Sequence, residues 1–210
     1  MKLYSYFRSS AAYRVRIALN LKGLDHDVVG VNLLEKAQRD PDYLGVNPMG
    51  LVPTLDDDGT RIAQSLAIIE YLDDVYPQRQ IRLADPARRA LDRSLALTVA
   101  CDIHPLNNLR VLAYLTDPLG LDAPARDVWY RHWVTEGFGA LEQLVGAAPF
   151  CTGATPGYSD ICLVPQMFNA RRFNVDVAAF PKLVAIDAAC NALDAFAQAH
   201  PSRQPDAPAA

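Results

Sequence analysis

Strand-forming pattern stops at Pro77. Before it, short apolar runs with a two-residue period alternate with helical stretches; from Ala87 onward no segment carries a convincing strand. A chain patterned this way predicts an α/β half followed by an all-α half. Residues 2–6 read as the first strand and 11–22 as the first helix, with Ser9 or Ser10 as its cap and Gly23 just past its end. The valine-rich stretch 27–31 is a second strand. Residues 52–55 and 61–63 flank Asp56-Asp57-Asp58-Gly59, an Asp-Gly hairpin turn. Residues 65–76 form a helix with Leu66, Ile69 and Leu72 on one side, halted by Pro77. The element order is β-α-β, then β-β-α. Domains are therefore expected at residues 1–80 and 87–210, joined by a linker at 78–86.

In the second half, residues 87–115 keep helical spacing with a break promised at Pro105. Residues 126–145, 160–172 and 183–199 continue the helical pattern. Pro201, Pro205 and Pro208 predict an extended tail.

The 210 residues carry a net charge of −4, the reverse of the basic excess that nucleic-acid binding requires. No apolar run approaches the roughly 18 residues of a membrane span, and the start reads as a strand rather than a signal peptide. Cys101, Cys151, Cys162 and Cys190 are far apart, without metal-ligand spacing. They are expected to be reduced and mostly buried in a cytoplasmic protein, with no metal.

Ser9-Ser10 lies between the first strand and the first helix. A serine there caps the helix. The same position carries about half a positive charge and free N–H donors, which favours a thiolate over a thiol. No cysteine stands nearby, so the sulfur would arrive on a ligand. Ser65, at the start of another helix, is also a cap, and a free carboxylate would suit the amides there. Arg14 and Arg16 are ordinary for a solvated helix face. His104 and Asn108, four apart, share a face if the helix persists past Pro105.

The run from Ser9 to Leu19 (Ser-Ser-Ala-Ala-Tyr-Arg-Val-Arg-Ile-Ala-Leu) is similar to the signature Ser-Ser-Cys-x-x-Arg-Val-Arg-Ile-Ala-Leu of the zeta class of glutathione transferases. Ala11 departs from it, standing where the signature has cysteine. Asn47-Pro48-Met49-Gly50-Leu51-Val52-Pro53-Thr54-Leu55, Gln64-Ser65-Leu66-Ala67-Ile68-Ile69-Glu70-Tyr71-Leu72 and Asp102-Ile103-His104-Pro105-Leu106-Asn107-Asn108-Leu109-Arg110 extend the resemblance over nearly the whole chain. A second departure is Gly157, where transferases usually cap a core helix with Ser or Thr ahead of an acid such as Asp160. Glycine is a weaker cap by about a few tenths of a kcal/mol.

The resemblance implies the glutathione-transferase fold, a thioredoxin-like N-terminal domain followed by a C-terminal helical domain, and glutathione as the cofactor. It implies that Ser9, with Ser10 beside it, contacts the glutathione sulfur and is catalytic. Val52, ahead of a cis proline, would pair with the cysteinyl backbone, Gln64 and Ser65 would hold the γ-glutamyl end, and Gln38 would meet the glycine end. His104, Asn108 and Arg110 would border the cleft as glutathione or substrate contacts. Arg8, Arg110 and Arg172 are the carboxylate clamps, arginine's planar fork being suited to that task. The implied reaction is cis–trans isomerisation of a cis-enedione dicarboxylate, maleylacetoacetate to fumarylacetoacetate, by reversible thiolate addition to the conjugated double bond. Maleylpyruvate is the close alternative, and a general glutathione transferase or a silent scaffold are wider ones. A homodimer is implied by the same analogy.

Overall fold

The computed structural model describes residues 1–146 and 149–208. They group into two units, residues 1–82 together with those from Ala192 onward, and residues 83–191.

The first unit opens with β1 (Lys2–Ser5), α1 (Ser10–Lys22) and β2 (Asp27–Gly30). A short helix α2 (Pro41–Leu44), the hairpin β3 (Thr54–Asp57) and β4 (Thr60–Ala63), and α3 (Ser65–Val75) follow. The strands form one sheet in the order β2-β1-β3-β4. β1 runs parallel to β2 and antiparallel to β3, and β3 is antiparallel to β4. The hairpin turns through Asp58 (φ 49°) and Gly59 (φ 91°), with Asp56 Oδ1 accepting from the Gly59 N–H at 2.9 Å. Two consecutive positive φ angles are why an Asp-Gly pair stands there. Leu3, Val15, Leu19, Leu55, Ile68 and Leu72 form one buried cluster, and Tyr6, Val31, Tyr43 and Val52 another. The β-α-β, β-β-α order expected from the pattern is present, and with it the thioredoxin-like sheet that the resemblance implied.

The second unit is helical: α4 (Pro86–Leu97), α5 (Leu109–Thr116), α6 (Ala123–Leu144), α7 (Tyr158–Arg172) and α8 (Pro181–Asn191). α4 passes into a π-helical stretch, Thr98–Ile103, and then a 3-10 turn, Pro105–Asn107. Asn108 is extended (φ −67°, ψ 146°) and caps α5 by accepting from the Arg110 N–H at 3.1 Å. His104 and Asn108 therefore share no continuous helical face. Proline lacks the N–H that would carry the helix on, and the chain re-enters a helix only after a new cap.

Gly157 has a reason the pattern did not show. Asp92 on α4 is 2% exposed and accepts from the Tyr158 N–H (2.9 Å), the Ser159 N–H (3.1 Å) and the Ser159 hydroxyl. Asp160 accepts from the Gly157 N–H (2.8 Å) and the Cys151 N–H (2.9 Å). The first turn of α7 is thus capped from α4, and a Cβ on Gly157 would lie 2.5–2.8 Å from the Asp92 carboxylate. Installing the family's serine, Gly157→Ser, is expected to lower stability by about 1–3 kcal/mol through overpacking. Thermal unfolding measures it; a gain in Tm would show that Asp92 yields to the new side chain.

The end of the chain corrects two expectations. The helical stretch anticipated at 183–199 is divided into α8 and α9 (Asp194–Ala199), and the tail after it is bound rather than extended and free. The second expected domain ran to residue 210, but residues from 192 group with the sheet, because α9 packs along α1. Asn20 Nδ2 donates to the Ala195 carbonyl (2.9 Å) and Arg16 Nε to the Ala199 carbonyl (3.1 Å). Pro201–Arg203 forms a 3-10 turn in which His200 Nδ1 accepts from the Ser202 N–H at 3.2 Å. Beyond it, Asp206 Oδ2 accepts from the Phe7 N–H at 2.8 Å. Three cysteines are buried and Cys101 is exposed, all as free thiols. Among the described residues no helix is long and apolar enough to cross a membrane.

Candidate functional site

Register alone brings four segments to one edge of the sheet. β1 ends at Ser5 and leads into Ser9 at the start of α1. β2, parallel to it, ends at the same edge and leads on to the 3-10 turn Ala37–Arg39, which holds Gln38. Tyr4 faces Thr54, so antiparallel β3 begins there, directly after Val52-Pro53. Thr54 in turn faces Ala63, so β4 ends there and hands over to Gln64-Ser65 at the start of α3. Arg8, Ser9, Ser10, Gln38, Val52, Gln64 and Ser65, scattered over 58 positions of sequence, follow or precede strand ends on one side.

Ser9 is the N-cap of α1; its Oγ accepts from the Ala12 N–H at 3.2 Å. That bond uses a lone pair and leaves the hydroxyl proton available for a further acceptor. Ser10, next to it, is buried, and the Arg8 guanidinium lies 5.6 Å over the Phe7 ring. The backbone before Ser9 is held from within. Arg16 donates through Nη2 to the Phe7 carbonyl (2.9 Å) and through Nη1 to Ser5 Oγ (3.2 Å), while Asp206 holds the Phe7 N–H. Arg16 is 1% exposed; burial draws its pKa down to about 10, against the opposing pull of Tyr13 and Asp206.

The Val52–Pro53 peptide is cis, as the resemblance implied. Gln38 is half-buried, and its side-chain oxygen is buried without a hydrogen-bond partner among the described residues. Gln64 caps α3 with φ 70° and ψ 115°, a backbone geometry costing a non-glycine residue about 1–3 kcal/mol. Ser65 is buried, and its Oγ accepts from Arg14 Nη1 at 3.3 Å. Arg14 itself is 2% exposed.

So Arg14 and Arg16 are not on a solvated face, and sequence reasoning missed what they do. A signal existed: Ala12, Tyr13, Val15, Ile17, Ala18 and Leu19 put apolar groups nearly all round the helix, which leaves no broad polar side for two arginines. Asp206, among prolines, carried no periodicity signal; what pointed to it was the resemblance of the tail from His200 to Asp206 to the same family.

In the helical unit, His104 closes the π-helical stretch and is half-buried. The Asn108 side chain is engaged in capping, and Arg110 is exposed on the first turn of α5. Arg172, exposed at the end of α7, donates to Asn169 Oδ1 (3.1 Å) and lies 5.5 Å over the Phe173 ring. Phe173 stacks on Tyr130 at 3.6 Å, and burial raises the Tyr130 pKa. Burial also pushes the Cys151 and Cys190 thiols up, which leaves them poor nucleophiles.

Residues 8–75 match the family model "Glutathione S-transferase, N-terminal domain". The chain is 48% identical over 213 residues to a maleylacetoacetate isomerase of Pseudomonas aeruginosa, covering the whole of both. Its structure is similar, with a TM-score of 0.97 and 42% identity over 99% of this chain and 100% of the other, to a holo maleylpyruvate isomerase described as a bacterial glutathione S-transferase of the zeta class. A maleylacetoacetate isomerase of Methylobacterium extorquens AM1 with bound malonate and glutathione gives a TM-score of 0.96 and 41% identity over the full length of both chains.

Proposed function

We propose that this chain, since it belongs to the zeta class of the glutathione S-transferase family, catalyses the glutathione-dependent cis–trans isomerisation of maleylacetoacetate to fumarylacetoacetate. The observation that carries this reading is the 48% identity, end to end, with an isomerase of that name. The sheet edge fits the tripeptide: a buried Gln38 oxygen and two buried Arg14 nitrogens have no hydrogen-bond partner among the described residues, and α1 and α3 both start at this end of the sheet.

Glutathione supplies the thiolate that adds reversibly to the conjugated double bond and so permits rotation about it. The protein's part is to hold that sulfur ionised and the substrate aligned. Ser9 donates its hydroxyl proton to the sulfur, while the start of α1 adds the positive end of its dipole. Ser10 completes the pair. Val52, on the cis turn beside the start of β3, offers backbone groups to the cysteinyl residue as an added strand would. Gln64 and Ser65 receive the γ-glutamyl end at the start of α3, and Gln38 the glycine end. Arg8, Arg110 and Arg172 are the clamps for the two substrate carboxylates, and His104 and Asn108 line the substrate side. The Methylobacterium relative, with both malonate and glutathione bound, supports a dicarboxylate as the second ligand. By analogy with its class, the chain is further proposed to act in tyrosine breakdown as a cytoplasmic homodimer.

Incubation of the protein with glutathione and maleylacetoacetate is expected to consume the cis-enedione only when glutathione is present; absence of turnover would reject the assignment. Maleylpyruvate is the second reading, favoured by the 0.97 TM-score to an isomerase of that substrate. The two substrates differ by one methylene, which a pocket resolves by only about 1–3 kcal/mol. kcat/KM on both substrates decides between them.

A further inference from the structure

We infer that Arg14 is a positioning residue for the γ-glutamyl α-carboxylate, acting from inside the fold through Ser65. The inference rests on glutathione being the cofactor and concerns a residue outside the contact set given above.

Arg14 projects from α1 to the start of α3, where Nη1 donates to Ser65 Oγ at 3.3 Å. Because that oxygen accepts from the guanidinium, the hydroxyl proton of Ser65 turns away from Arg14 and is free to be donated to an incoming anion. Arg14 Nε and Nη2 are buried and find no hydrogen-bond partner among the described residues. A guanidinium stays charged at any physiological pH, and burying it without a counter-charge costs several kcal/mol. The 11-residue helix α3 starts at the same point, so its free amides and dipole add to the positive field. One anion at that helix start therefore relieves three separate demands: the guanidinium's charge, the serine proton and the amides of the first turn. Glutathione brings such an anion as the α-carboxylate of its γ-glutamyl residue. Ser65 is the contact, and Arg14 fixes its polarity and supplies the net charge. The consequence is selectivity: the protein should require a γ-glutamyl residue with its α-carboxylate intact.

The test is equilibrium binding by calorimetry, with two ligands and three proteins. The ligands are glutathione and 4-aminobutanoyl-cysteinylglycine, which lacks only the α-carboxylate. The proteins are wild type, Arg14→Met and Arg14→Lys, each checked for a cooperative thermal transition. Wild type is expected to prefer glutathione by about ten-fold or more, the worth of a hydrogen bond to a charged group. Arg14→Met is expected to lose about ten-fold in affinity for glutathione and less than about two-fold for the analogue, with Arg14→Lys between wild type and Met. Equal weakening of both ligands, or of neither, overturns the inference by reducing Arg14 to a packing residue. If Arg14→Met does not fold, the ratio of the two affinities in Arg14→Lys decides: a ratio below that of wild type supports the role and an unchanged one removes it. Failure of wild type to bind glutathione at all would count against the proposed function instead.

Discussion

Ser9→Ala is expected to slow isomerisation by at least about ten-fold at saturating glutathione while the fold survives, because a hydrogen bond to a charged group contributes about 1.5–3 kcal/mol. The hydroxyl has two tasks that separate on substitution. Its oxygen accepts from the Ala12 N–H at the start of α1, and losing that cap costs about 0.5–2 kcal/mol of stability. Its proton is the donor assigned to the thiolate, and that loss falls on the rate. Asparagine at the same position retains a capping oxygen without a hydroxyl. Ser9→Asn is therefore expected to keep most of the Tm yet match alanine in rate. Threonine, which keeps both functions, is expected to retain most activity. The pH at which bound glutathione ionises, followed by thiolate absorbance, should rise in Ser9→Ala and Ser9→Asn. Wild-type turnover in Ser9→Ala would mean that Ser9 is a cap only and that the sulfur lies elsewhere.

The residues that made this fold legible are those whose local preference agrees with the tertiary result. Gly23 at the end of α1 has φ 66°, a conformation that glycine adopts without cost, and Asp58-Gly59 makes the hairpin it announces. Ser9 capping α1 could be read for the same reason, since a helix start needs an acceptor whether or not a ligand follows. Ser65, read as a second cap, instead stands one position inside α3 behind Gln64, and its hydroxyl accepts from Arg14. What escaped the pattern depends on partners distant in sequence. Asp92 takes the capping role at α7 from 66 residues away, so Gly157 looked like a weak cap when it is the clearance for a strong one. Arg16 reaches the Ala199 carbonyl across 183 residues, and Asp206 reaches Phe7 across 199. No periodicity in a window of a dozen residues encodes such pairs. Three of the proline signals met different fates for one physical reason. Pro77 follows the end of α3 because it lacks the N–H that would carry the helix on, whereas Pro105 and Pro201 each open a 3-10 turn, where no N–H is required. The thiol end of the candidate site was thus visible as helix-start chemistry. Its support from Arg14, Arg16 and Asp206 became visible only with α9 and α3 packed on α1.

The largest loss of stability is expected from Asp73→Ala, about 3–5 kcal/mol, the cost of leaving a buried charge without its partner. Asp73 Oδ1 and Lys22 Nζ are 2.7 Å apart, and both side chains are fully buried. The carboxylate also accepts from the Ile81 N–H (3.1 Å) and the Arg82 N–H (2.7 Å). Lys22 in turn reaches the Gln78 and Arg79 carbonyls at 3.5 and 3.4 Å. This pair therefore fastens the last turn of α1, the C-terminal part of α3 and the chain that leaves the sheet. Alanine would strand an ammonium and two amides together in a space that water reaches poorly. Lys22→Met should cost less, because Asp73 would keep its two amide donors. The double variant Lys22→Met/Asp73→Leu should recover much of the loss, since a buried pair replaced by apolar groups is often neutral. Urea unfolding of the four proteins measures each loss and how much of it the apolar pair recovers. A loss below about 1 kcal/mol for Asp73→Ala is the value of a solvated surface pair, and would mean that water enters between Lys22 and the chain at 78–82.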